Sequence, residues 1–154
     1  MIYRIDITQD FIDWRDEKAE LYNGRGRSKK RFLMDIECEV YEWFKINNKE
    51  WESHDDWKVD AITPEYGLVD VKFIDKWYNI SATKMHNILQ QRKVLDGFYF
   101  CEWIDRPVRP LVAGDNVSVG DLGFIGYEDL IDIIQVSRGK WGGHYADVRK
   151  FLSA

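Results

Sequence analysis

The sequence predicts a mixed α/β domain in which helices cover a central β-sheet. Residues 10–22 and 28–47 carry apolar side chains at helical spacing. Residues 57–62 and 67–74 are two strand-like segments separated by a turn, and residues 98–104 are a strongly strand-forming aromatic run. Helices and strands therefore alternate along one chain, which is typical of a mixed α/β fold.

The composition supports a single domain over residues 1–154. Of these residues 45% are hydrophobic and 32% are charged, which is typical of a globular protein. The net charge of −5 argues against a protein that coats nucleic acid through charge alone. It does not exclude an enzyme whose active-site carboxylates bind a metal ion.

Two cysteines, Cys38 and Cys101, provide no disulfide framework, and three scattered histidines add no zinc site. The chain has no apolar run that could span a membrane and no apolar signal region near its start. We therefore expect a cytoplasmic protein with no membrane partner. A homodimer is a possible state that the sequence leaves open.

The N-terminal part predicts a strand followed by two helices. Residues 1–7 alternate between apolar and polar side chains, and residues 10–22 form a helix that ends at Asn23-Gly24. Ser28 can cap the second helix, which continues to about residue 47. Residues 49–56 are a polar loop.

The central part predicts a hairpin, a helix and a strand. Pro64 provides the bend between the two hairpin strands, and a short third strand is expected at residues 77–80. Ser81 caps a predicted helix that ends near residue 94.

The C-terminal part gives weaker signals. Residues 108–112 and 117–125 fit strand or loop, and residues 127–136 fit either helix or strand. Residues 139–143 predict a loop, and residues 145–152 predict a closing helix.

The pattern Asp-any-Lys occurs three times, and only Asp70-Val71-Lys72 lies inside a predicted strand. Alternate residues of a strand share a face, so Asp70 and Lys72 point the same way as Leu68. Charges within an otherwise apolar strand are costly unless they are paired, solvated or bound to metal. This pair is therefore the leading candidate for chemistry.

The preceding predicted strand also contains a charged residue, Asp60, which the hairpin brings near Asp70. Two adjacent carboxylates repel each other and need a cation or a shared proton. Mg²⁺ suits such oxygen ligands, and Lys72 could hold the attacking water and offset charge on a phosphate. An exposed hairpin face with a Lys72–Asp60 salt bridge explains the same pattern equally well.

This order of elements, with Asp60 followed by Asp70-Val71-Lys72, resembles the PD-(D/E)XK nuclease superfamily. The resemblance covers about residues 28–104 and implies a restriction-endonuclease-like core of αβββαβ order, with residues 1–27 and 105–154 as extensions. The family also expects a glutamate on the preceding helix, with apolar residues three and seven positions later. Glu37 matches that spacing, and Glu39 on the other margin of the helix is its rival.

The resemblance implies Glu37, Asp60 and Asp70 as ligands of Mg²⁺ (or Mn²⁺) and Lys72 at the nucleophilic water. The expected activity is metal-dependent hydrolysis of phosphodiester bonds in DNA by an endonuclease. The short gap between Asp60 and Asp70 is similar to that in small phage and junction-resolving members, whereas Val59 stands where many members have proline. The alternative is an inactive nuclease-fold module that binds nucleic acid or a protein.

Basic and polar side chains outside the predicted metal site are candidates for DNA contact. The segment 25–31 has five basic residues in seven and leads into a helix N-terminus, where phosphate is favoured. In the predicted helix over 81–94, polar residues form a stripe. The candidates from these two segments are Arg25, Arg27, Lys29, Lys30, Lys84 and Gln91. An ordinary solvated loop explains the first segment equally, and an ordinary solvated helix face explains the second better than DNA contact does.

Overall fold

The computed structural model describes residues 1–22, 28–54, 61–74, 79–81, 95–140, 145–148 and 152. These residues form a mixed α/β structure, as the sequence predicts. The strands are β1 (Ile2–Asp6), β2 (Glu52–Ser53), β3 (Ala61–Thr63), β4 (Gly67–Phe73), β5 (Asn79–Ser81), β6 (Gly97–Asp105), β7 (Asn116–Gly126) and β8 (Tyr145–Asp147). The helices are α1 (Gln9–Tyr22), α2 (Lys29–Ile36), α3 (Val40–Asn47) and α4 (Tyr127–Lys140).

The main sheet has six strands in the order β1-β7-β6-β4-β3-β2. Strand β4 pairs antiparallel with β3 and parallel with β6. A parallel pair needs a crossover, and the chain between β4 and β6 provides it. The predicted helix over 81–94 falls in this crossover and lies outside the described residues from position 82 onward.

The predicted helix over 28–47 is interrupted. Ser28 caps α2 by accepting a hydrogen bond from the amide of Arg31, but a 3₁₀ turn at Glu37–Glu39 separates α2 from α3. A 3₁₀ turn winds more tightly than an α-helix, so it shifts the directions of the side chains that follow. At this turn the carboxylate of Glu37 is held by partners from outside the helix.

The C-terminal part differs most from the sequence predictions. Residues 117–125 lie within the long strand β7, and the ambiguous segment 127–136 is helical within α4. The predicted closing helix over 145–152 is wrong at its start, because β8 pairs antiparallel with β5 in a separate two-stranded sheet. Long-range pairing of this kind overrides a short helical pattern. The strand predicted at 77–80 thus forms as β5, outside the main sheet.

Two clusters of buried side chains pack against the main sheet. The first joins residues of β1, α1 and α3 to the inward residues of β4, among them Phe11, Val40, Tyr41, Val69 and Val71. The second joins β6 and β7 to α4. No helix within the described ranges is both long and apolar enough to cross a membrane.

A buried hydroxyl–carboxylate cluster fastens α3 to the sheet. Asp121 of β7 accepts hydrogen bonds from the hydroxyl groups of Tyr41 (3.0 Å) and Tyr99. The pKa of each tyrosine is raised, first by burial and also by the charge of Asp121. Both hydroxyl groups therefore stay protonated and remain donors.

Glu37 is fully buried and ties three segments of the chain together. Its Oε2 accepts hydrogen bonds from Arg15 of α1 and from the amide of Leu111, both at 2.7 Å. Its Oε1 accepts one from Arg106 at 2.7 Å. Arg15 also donates to the carbonyl of Leu111 at 2.6 Å. This ion pair network connects α1, the 3₁₀ turn and the loop after β6.

Replacing Glu37 with glutamine should lower the free energy of unfolding by about 3 kcal/mol, because two guanidinium groups would lose their buried counter-charge. Urea unfolding followed by circular dichroism measures this loss. The matched control is Glu17→Gln on the exposed side of α1, which should change stability by less than about 0.5 kcal/mol. Equal effects of the two substitutions would contradict a central structural role for Glu37.

Candidate functional site

The candidate site is organised around the two charged residues of β4. Val69, Val71 and Phe73 belong to the first core cluster, and Asp70 and Lys72 alternate with them, as the sequence predicts. Asp70 is only 6% exposed. The ammonium of Lys72 lies 2.8 Å from Oδ2 of Asp70. The pair therefore sits within a central strand, flanked by β3 on one side and β6 on the other.

Asp60, the second predicted metal ligand, lies outside the described residues. Strand β3 begins at the next residue, Ala61, which pairs with Val69 immediately before Asp70. The proximity of Asp60 and Asp70 stays a prediction from the sequence.

Glu37, the preferred helix carboxylate, has a different environment from the expected one. Both of its oxygens accept charge-assisted hydrogen bonds from arginine, and its side chain is inaccessible to solvent. Such a carboxylate is already neutralised, so a metal ion would have to displace an arginine to bind it. The contacts make Glu37 a structural residue.

Glu42 of α3 is the acidic residue that the sequence analysis missed. It is 4% exposed, and its Oε2 has no hydrogen-bond partner among the described residues. Its pKa is raised well above the usual range, first by burial and then by the charges of Glu39 and Asp70, while Lys18 acts in the opposite direction. Asp70 and Glu42 lie on opposite faces of the sheet, because Asp70 alternates with the residues of β4 that pack against α3.

Helical periodicity explains why Glu42 was missed. Val40 and Phe44 predict the inner side of the helix, and Glu42 lies on another side of the same helix. In the structure α3 is buried on more than one side, because Val40, Tyr41, Glu42 and Lys45 are all buried. The only sequence signal was three glutamates at positions 37, 39 and 42 beside an apolar stripe.

Glu39, the rival of Glu37, is engaged by a lysine from the N-terminal helix. Its Oε2 lies 2.6 Å from the ammonium of Lys18, and that ammonium lies 4.5 Å from the ring centroid of Trp14. Both partners are partly exposed. Glu39, like Asp70, is therefore paired with a lysine.

The predicted DNA-binding residues are only partly described. Lys29 and Lys30 lie exposed in the first turn of α2. Arg25, Arg27, Lys84 and Gln91 lie outside the described residues. Their contact with DNA stays a prediction.

One feature of the described residues fits a divalent cation, namely the unsatisfied oxygen of Glu42. These residues do not provide a complete set of metal ligands. An orphaned carboxylate oxygen on a buried glutamate is an unusual, costly feature that a cation would satisfy. No group of three or more acidic, histidine or cysteine side chains within the described ranges is arranged to hold a metal ion. The predicted ligand Asp60 lies outside these ranges.

Comparisons of the chain with models of protein families, with curated proteins and with solved structures find no match. A function for this chain must therefore be inferred from its sequence and from the contacts of its described residues.

Replacing Glu42 with glutamine should change how stability depends on pH. A carboxyl whose pKa is raised by folding stabilises the folded state below about pH 4.3 and loses that contribution as the pH rises through its folded pKa. In metal-free buffer, the stability of Glu42→Gln relative to the wild type should therefore increase from pH 4.5 to pH 7.5. Thermal unfolding across this range measures the difference, and a constant difference would contradict a protonated, buried Glu42.

Proposed function

We propose that the protein is a metal-dependent nuclease that hydrolyses phosphodiester bonds in DNA, acting as an endonuclease. The observation that carries this proposal is the Asp70–Lys72 pair on the central strand β4, where Asp70 is buried and Lys72 is partly exposed. Two ionisable groups within a central strand are costly for folding alone. Such clusters are concentrated at functional sites.

The proposed metal ligands are Asp70 and Asp60, the second of which is expected from the sequence. When bound, Mg²⁺ or Mn²⁺ would supply positive charge to the scissile phosphate and polarise a water molecule. The helix glutamate that the resemblance implies, Glu37, is left out of this proposal, because its arginine contacts occupy its carboxylate.

Lys72 is the proposed electrostatic catalyst. Its side chain is 19% exposed, so the ammonium is accessible from solvent while it contacts Asp70. An ammonium has three N–H donors, so Lys72 can contact Asp70 and still donate to a phosphate oxygen or a water. Its charge would stabilise the negative charge that develops on phosphorus-bound oxygens during attack.

The order of elements supports the same reading. The segment α2–α3 precedes the hairpin β3–β4, and β6 follows a crossover and lies parallel to β4. This order is compatible with the one that the resemblance implies, although the expected third strand, β5, pairs with β8 outside the main sheet. We propose that the restriction-endonuclease-like core is formed by about residues 28–104, and that Lys29, Lys30 and the other predicted basic residues contact the DNA backbone.

The direct ion pair between Lys72 and Asp70 favours a second candidate function. If the ammonium of Lys72 alone neutralises Asp70, the fold needs no metal ion. The protein would then be a nuclease-fold module that binds nucleic acid or a protein without cleaving DNA. Calorimetry with Mn²⁺ separates the candidates, because only the enzyme needs a site that binds the ion.

The nuclease proposal predicts that Asp70→Asn and Lys72→Met each lower Mg²⁺-dependent cleavage of plasmid and branched DNA by about 100-fold or more. Asp70→Asn should also weaken Mn²⁺ binding, whereas Lys72→Met should retain it. Both variants should still bind DNA, measured by fluorescence anisotropy with Ca²⁺ in place of Mg²⁺.

Asp132→Asn on the exposed face of α4 is the matched control. It removes one carboxylate charge far along the chain from β4 and should leave cleavage unchanged. Circular dichroism establishes that each variant is folded. Wild-type cleavage rates in folded Asp70→Asn would overturn the assignment.

A further inference from the structure

One edge of the main sheet is an open strand. Strand β1 is the first of the six strands and pairs only with β7 among the described residues. The strand at the opposite edge, β2, has two residues and therefore offers few main-chain groups to another chain. Strand β1 pairs with β7 over five consecutive residues without a shift in register. Its outer side is therefore a regular row of main-chain donors and acceptors.

The hydrogen bonds at the two ends of β1 identify which main-chain groups point outward. The carbonyl of Met1 accepts a hydrogen bond from the amide of Asp121 at 2.8 Å, and the amide of Ile7 donates one to the carbonyl of Asp115 at 2.8 Å. Successive residues of an antiparallel strand bond alternately to one side and to the other. The residues whose main-chain groups point to the free edge are therefore Ile2, Arg4 and Asp6.

The exposed charges of this edge are opposite in sign and two residues apart. Arg4 and Asp6 share the exposed face of β1, and Ile5 between them is buried in the core. Asn116 of β7 connects the two side chains, because its amide group accepts a hydrogen bond from Arg4 and donates one to Asp6. A guanidinium has five N–H donors and a carboxylate has two acceptor oxygens, so both can bind a further partner.

This spacing of charges is self-complementary in an antiparallel pair of β1 strands. If a twofold axis passes at Ile5, Arg4 of each copy lies directly opposite Asp6 of the other, and the outward main-chain groups of both residues are hydrogen-bonded. An axis at Arg4 would place two guanidinium groups opposite each other, and an axis at Asp6 would oppose two carboxylates. Like charges in these positions are destabilising. The charges therefore favour the register centred on Ile5.

We propose that the protein forms a homodimer in which β1 pairs antiparallel with β1 of a second copy and joins the two six-stranded sheets. Both copies use the same surface, so the assembly is closed by one twofold axis. Ile5 and Val69 belong to one core cluster, so Arg4 and Asp70 lie on the opposite face of the sheet. The Asp70–Lys72 pairs of both copies then lie on the same face of the joined sheet. The dimer does not depend on the proposed nuclease function.

Sedimentation equilibrium of untagged protein should show an 18.3 kDa chain in equilibrium with a particle of twice that mass. One short strand pair gives a small interface, so we expect a Kd of roughly 1–100 µM. Arg4→Glu and Asp6→Lys should each raise the Kd about tenfold or more, because each turns two attractive cross-strand pairs into repulsive ones. Circular dichroism establishes that each variant is folded.

The matched controls reverse exposed charges away from β1. Lys49→Glu and Asp132→Lys change the net charge as the two edge variants do. Both controls should associate with the wild-type Kd, because neither residue lies on the proposed interface.

A mixture of the two edge variants tests the register. In a mixed dimer, the introduced glutamate faces the introduced lysine, and the native Asp6 of one copy faces the native Arg4 of the other. The mixture should therefore associate with a Kd within about threefold of the wild type, although each variant alone associates weakly. Failure of the mixture to recover would contradict this register.

Amide hydrogen exchange tests the same interface without any substitution. The amides of Arg4 and Asp6 should exchange more slowly as the protein concentration rises through the Kd, whereas the amides of Tyr3 and Ile5, which face β7, should be protected at every concentration. A wild type that stays monomeric up to about 0.2 mM would overturn the inference. A dimer that neither edge substitution weakens would overturn it as well, because that dimer would use another surface.

Discussion

The buried carboxylate of Glu37 is the interaction on which the arrangement of this protein depends. Arg15, Arg106 and the amide of Leu111 converge on it from α1 and from the loop after β6. A buried charge is tolerated only when its partners surround it closely, so these segments must meet in one geometry. The same contacts hold the helical segment where it changes from α2 through a 3₁₀ turn to α3.

That constraint acts on the neighbouring acids through the geometry of the turn. Glu37, Glu39 and Glu42 lie within six consecutive residues, yet their surroundings differ. Two arginines neutralise the first and a lysine pairs with the second. The third is buried with one oxygen unsatisfied among the described residues. A chemically uniform set of acids thus becomes one structural group, one paired group and one buried group whose pKa is raised.

The sequence predicted the local elements well where periodicity was strong. The strand at the N-terminus, the helix ending at Tyr22 and the alternation of Asp70 and Lys72 with apolar residues all follow from patterns of period two or 3.6. The segments 127–136 and 145–152 were harder, since a short apolar run fits helix and strand alike. Their states depend on packing against β6 and on pairing with β5.

The sequence by itself determined the mixed α/β class and the Asp70–Lys72 pair, because the direction of a side chain within one strand depends only on local backbone geometry. Only the tertiary structure decided which glutamates of residues 37–42 have charged partners and which one is buried with an unsatisfied oxygen. Arg15, Arg106 and Lys18 lie 22, 69 and 21 residues away from the glutamates they contact. No local pattern encodes such partners, because burial and pairing of charge arise only when distant segments pack together.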